Sequence, residues 1–128
     1  MIVSAQTSGT LTTNSGSWTP ITGLTVTIPQ GVGVQALVIL NVPNPFATGN
    51  SNPGGNFGVQ VNGTVQSAFA SFTYNEVNPP STGRIPTTLT VPVALSQSGD
   101  LTVVAVWSSV RGSTVHIDSP ATLTGIVA

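Results

Sequence analysis

Apolar and polar residues take alternate positions along most of this chain, the repeat of a β-strand with one buried face. Leu24, Val26 and Ile28 alternate with threonines in LTVTI, which predicts a half-buried strand ending at Pro29. Gln35 to Val42, QALVILNV, is a nearly continuous apolar run and predicts a strand covered on both sides. Phe57, Val59 and Val61 alternate up to Asn62-Gly63, a hairpin-turn dipeptide, and Val65 to Tyr74 returns as the partner strand. Leu89 to Leu95 alternates again, with Pro92 marking an edge strand or a bulge. Further strands are expected over Leu101 to Trp107, Thr114 to Asp118 and Ala121 to Val127, while Ser4 to Ser17 reads as an edge strand or an arm. Pro- and Gly-rich segments at Pro43–Gly55 and Asn75–Pro86 read as long loops, the kind that carry function in a compact domain. No stretch has helical periodicity, so eight or nine short strands predict an all-β antiparallel sandwich of jelly-roll type.

Length and composition narrow the picture. With 128 residues the chain is one domain, residues 1–128, with room for a real core. Cysteine is absent, which excludes disulfides and cysteine-based metal sites. Charged residues make up 4% of the chain, against roughly 25% in an ordinary domain. The two arginines are the whole cationic complement, so no basic patch exists for a phosphate backbone and no nucleic-acid partner is expected. A mean hydropathy of +0.33 with so little charge suggests that an uncharged surface is buried between subunits. The start, MIVSAQTSGT, lacks the pattern of a secretory signal, and the longest apolar run is too short to span a bilayer. A soluble protein without membrane insertion is the expectation.

Chemistry concentrates in Val110 to Pro120, VRGSTVHIDSP, which holds Arg111, Asp118 and the sole histidine, His116. On a strand, Thr114, His116 and Asp118 would share one face and Val115 and Ile117 the other. Asp118 accepts, Arg111 donates and His116 does either, a mixture suited to a polyol. The competing reading is an Arg111–Asp118 pair that locks a turn. Catalysis finds little support: the only carboxylates are Glu76, Asp100 and Asp118, and Asp100 lies in a Ser-Gly-Asp turn. A glycosidase needs two facing carboxylates, and side chains two apart on one strand face run parallel rather than meeting end-on as a Ser-His-Asp triad does. One histidine with three scattered acids is a poor metal set, so no metal or other cofactor is expected.

Four blocks carry a more specific signal: LNVPNPFATGN at Leu40 to Asn50, FTY at Phe72 to Tyr74, STGRIP at Ser81 to Pro86, and SVRGSTVHIDSPATL at Ser109 to Leu123. In this order they resemble the tumour-necrosis-factor-like, fucose-binding bacterial lectin domain found at the N-terminus of two-domain superlectins. The resemblance implies a jelly-roll protomer, a homotrimer and calcium-independent sugar sites between neighbouring protomers. It further implies that one subunit supplies Ser81, Thr82 and Arg84 and its neighbour Thr73, Tyr74 and Arg111, with His116, Asp118 and Ser119 at the rim. Two positions depart from the family's pattern. Phe46 stands where a tyrosine is usual, and Asn56 where an aromatic is usual; both positions bear on which sugar is preferred. The implied partners are fucosylated glycans met extracellularly or at a cell surface; the alternative is a structural trimer with no ligand. Other readings of single residues are a core-edge role for Tyr74, turn formation by Ser81 and Thr82, and an Arg84–Glu76 salt bridge.

Overall fold

The computed structural model describes residues 1–49, 52–75, 83–95 and 98–128. Within them the chain forms β1 (Ile2–Gln6), β2 (Leu11–Thr13), β3 (Thr19–Ile28), β4 (Gln35–Val42), β5 (Phe46–Thr48) and β6 (Gly54–Val61). It continues through β7 (Thr64–Val65), β8 (Ala70–Thr73), β9 (Thr87–Ala94), β10 (Leu101–Val110), β11 (Thr114–Ile117) and β12 (Thr122–Val127). One antiparallel sheet has the order β1-β12-β4-β9. A second runs β3-β10-β6, with β7 and β8 both paired to β6, and β2-β11-β5 forms a three-stranded ribbon.

The alternation read from the sequence fills the space between the two large sheets. Leu24, Ile28, Val38, Leu40, Phe57, Val59, Val103 and Leu123 are each no more than 1% exposed. Burial of these side chains stabilises the sandwich by roughly 25 cal/mol per Å² of apolar surface. Pro92 lies on β9, an edge strand, where its missing N–H breaks no ladder. Asn62 and Gly63 take positive φ of 46° and 86° and turn β6 into β7, as the dipeptide predicts.

Three expectations need correction. Strand β4 is covered on one face within the chain, not two: Ala36, Val38, Leu40 and Val42 are buried, whereas Leu37 is 39% exposed. Residues Val65 to Tyr74 do not form one strand; the return is split into β7 and β8. Strand β3 begins at Thr19, well before Leu24. The alternation breaks at Gly23, whose φ of +91° accompanies a register shift against β10 between Val104 and Val106.

Strands β4 and β12 run antiparallel, and Val127 pairs with Ala36. The Ala128 carbonyl accepts the Val34 and Gln35 N–H groups, and the Met1 carbonyl accepts that of Val127. Both termini therefore sit at the Gln35 end of β4. The Val42 end leads into Asn44, β5 and the segment before β9, where the candidate residues gather.

Candidate functional site

Arg111 owes its position to a two-residue turn. Arg111 and Gly112 have φ of 53° and 68°, and the Ser113 N–H donates to the Val110 carbonyl at 3.1 Å. Positive φ at both central residues is the type I′ geometry that joins twisted strands, here β10 and β11. Buried Ser113 anchors the turn from below: its Oγ accepts the Gly54 N–H at 3.1 Å and donates towards the Val110 and Gly54 carbonyls. Strand β6 can come this close because a Cβ at Gly54 would lie 2.2 Å from the Phe72 carbonyl oxygen, and one at Gly55 2.7 Å from Val115. From the turn, Arg111 Nη1 donates to the Asn52 carbonyl at 3.1 Å, and Asn52 Nδ2 donates to the Tyr74 carbonyl at 3.1 Å. Asn52 thus ties Arg111 to Tyr74.

The second arginine belongs to a denser cluster. Arg84 Nη1 and Nη2 donate to Asp118 Oδ1 and Oδ2 at 2.5 and 2.9 Å, and Nη1 also donates to the Asn44 carbonyl at 3.1 Å. Its guanidinium carbon lies 4.3 Å from the centre of the Phe46 ring. That ring stacks parallel to His116 with centroids 4.3 Å apart, and His116 Nε2 and Thr48 Oγ1 share a 3.0 Å hydrogen bond. The stack follows from the ribbon register, in which His116 is the direct partner of Phe46. Asn44 Nδ2 donates to Ser119 Oγ at 3.0 Å, closing the rim. The Tyr74 hydroxyl donates to the Gly83 carbonyl at 2.5 Å, linking β8 to the Arg84 segment within one chain.

Phe46, Arg84, His116, Asp118 and Ser119 are thus brought together, and Tyr74 and Arg111 meet through Asn52. Thr73 is exposed, paired across from Gly54. Asn56 lies farther along the same sheet, where Nδ2 donates to Ser108 and Oδ1 accepts from Ser71. Ser81, Thr82 and Glu76 lie outside the described residues, and with them the turn-former reading and the Glu76 pairing. Both oxygens of Asp118 are taken by Arg84, so among the described residues Asp118 pairs with Arg84 and not with Arg111 as considered from the sequence. The alternating faces expected of Thr114 to Asp118 are present, with Val115 and Ile117 buried and His116 half-buried. Sequence reasoning missed Asn44, Asn52, Thr48 and Ser113. The one signal for the asparagines was their position in Pro- and Gly-rich loops.

The charge of Arg84 is met by that of Asp118 at close range. The hydrogen bonds from Arg84 hold the Asp118 carboxyl below its ordinary range and raise the Arg84 guanidinium in turn. Partial burial lowers the His116 imidazole, which is therefore neutral near pH 7, and raises the Tyr74 phenol. No group of three His, Cys, Asp or Glu side chains suited to a metal ion occurs among the described residues. The arrangement presents N–H and O–H donors, carboxylate and carbonyl acceptors and aromatic rings on a partly exposed surface.

Comparisons with known proteins give one family. Among solved structures, the chain resembles the CBM36-1 domain of a multidomain xylanase from the hindgut metagenome of Trinervitermes trinervoides. That match has 15% identity and a TM-score of 0.47, and covers 100% of this chain and 98% of the other. It also resembles the insecticidal delta-endotoxin Cry8Ea1 of Bacillus thuringiensis, with 18% identity, a TM-score of 0.46 and 89% of this chain against 19% of the toxin. No curated protein matches. Residues 5–126 match the family described as the N-terminal domain of Bc2l-C. The chain belongs to that family, the TNF-like bacterial lectin domain that its four sequence blocks resemble.

Proposed function

We propose that this protein is a calcium-independent, non-catalytic lectin that binds fucose or fucosylated glycans outside cells, at sites between neighbouring protomers of a homotrimer. The observation that carries the reading is the end of the sandwich itself. A nearly uncharged chain gathers both arginines, Tyr74 and Asp118 there, on the segments that join the strands, each fixed by hydrogen bonds. Such a surface suits a ligand whose every hydroxyl is donor and acceptor at once.

The jelly-roll reading draws support from the strand orders. With the short β2, β5, β7 and β11 set aside, the eight remaining strands count off as 1-8-3-6 and 2-7-4-5, the two interleaved keys of that fold. The homotrimer draws support from the outer face of the β1-β12-β4-β9 sheet. Ile2, Ile126, Leu37 and Pro92 form one row across it, and none of the four strands carries an ionisable side chain. An apolar row of this kind on a subunit surface marks a place for protein contact. The same face is what favours the second reading, a structural trimer with no sugar ligand.

Titration calorimetry with free methyl fucoside, beside surface plasmon resonance on a densely fucosylated chip, each with calcium and with EDTA, separates the two. Neutral hydrogen bonds contribute about 0.5–1.5 kcal/mol each, so a single site is expected to bind in the micromolar to millimolar range. Three sites on one trimer should raise apparent affinity on the chip by roughly 10²–10⁴. No saturable binding in either format leaves the structural trimer. Loss of binding only when EDTA is present sinks the calcium-independent site.

A further inference from the structure

The way Arg84 spends its hydrogens limits what it can hold. A guanidinium presents one end-on pair of donors, from Nη1 and Nη2, and one side-on pair, from Nε and Nη2. Asp118 takes the end-on pair with both carboxylate oxygens, and the Asn44 carbonyl takes the remaining Nη1 hydrogen. Among the described residues no acceptor meets Nε–H or the second Nη2–H. The Phe46 ring lies against the guanidinium and the Arg84 side chain is 43% exposed, which leaves that side-on pair for a ligand to meet.

Two parallel donors match two adjacent oxygens, which a ligand supplies either as a carboxylate or as neighbouring hydroxyls on a sugar ring. Asp118 decides between them. Its carboxylate is bonded directly to the same guanidinium, so a second carboxylate on the side-on pair meets a like charge at close range and an arginine already neutralised. Neighbouring hydroxyls carry no charge and escape that repulsion. We propose that Asp118, with the Asn44 carbonyl, is a positioning residue that reserves the side-on pair of Arg84 for an uncharged vicinal diol and turns away acidic sugars. This rests on the lectin reading above and names the ligand chemistry of one half of that site.

The test is calorimetry on the full chain with two probes, a methyl fucoside and a methyl galacturonide, for the wild type, Asp118→Asn and Arg84→Lys, each melted beforehand to verify folding. The wild type should bind the fucoside and not the uronide. Asp118→Asn removes the competing charge and frees the guanidinium to turn, so the ratio of uronide to fucoside affinity should rise about tenfold or more. Arg84→Lys keeps a cation beside Asp118 but lacks the paired donors, so fucoside binding should fall about tenfold with no gain for the uronide. An unchanged ratio in Asp118→Asn, or wild-type fucoside affinity in Arg84→Lys, overturns the inference while the lectin reading stands. A wild type that binds neither probe overturns the lectin reading and this inference together. Where Asp118→Asn fails to fold, the wild type decides the point, because uronide binding as tight as fucoside binding overturns the inference.

Discussion

At the scale of single residues, Arg111 serves two separable purposes. Its backbone holds a left-handed conformation, and its side chain reaches Asn52. Arg111→Ala leaves the conformational cost of about 1 kcal/mol in place, whereas Arg111→Gly relieves it. Both should fold, the glycine variant melting no lower than the alanine one, and both should lose sugar affinity by at least about tenfold in calorimetry. Unfolding or dissociation of both would mean that the side chain is structural. Acid acts through two other groups. His116 is depressed below its ordinary 6.5 by burial, so the unfolded chain takes up the proton first and stability falls as pH drops through that value. Asp118 is depressed below 3.8, chiefly by its Arg84 hydrogen bonds, so its contribution is full above that value and lost in more acid solution. Melting temperature against pH should thus decline in two steps, and His116→Gln should flatten the first alone. The charged members of this site were legible because charge is so scarce in the chain. Asn44, Asn52 and Ser113 were not, since they act through backbone carbonyls and contacts that cross dozens of residues of sequence.

At the scale of elements, the long strands were readable and the short ones were not. Strands β3, β4, β6, β9, β10 and β12 carry enough alternating positions to declare a face, while β2, β5 and β7, at three residues or fewer, carry no period. Phe46 therefore read as loop, although it is paired on both its chemistry and its register to His116. The two-sided reading of β4 failed because a continuous apolar run does not say whether the outer cover comes from the same chain. Glycine decides the junction of β6 with β8 and β11. Gly54→Ala would push a methyl group into the Phe72 carbonyl, so it should destabilise the fold by about 1–3 kcal/mol in denaturant titration and weaken sugar binding with it. A variant of wild-type stability would show that the close approach is not needed.

At the scale of the whole molecule, the proposed trimer would bury the apolar row on the β1-β12-β4-β9 sheet. Sedimentation at micromolar concentration should show a species near three times 12.9 kDa, and Leu37→Glu with Ile126→Lys should return it to one chain. A wild type that sediments as a single chain ends the trimer. The sandwich also has a polarity along its strands. Met1 and Ala128 share one end, bonded to Val127 and Gln35, while Arg84, Arg111 and Asp118 occupy the other. Whatever the chain is joined to, through its first residue or its last, is joined behind the arginines. A tether to a bead, a sensor or another protein therefore aims this surface outwards, and either terminus serves equally well as the handle.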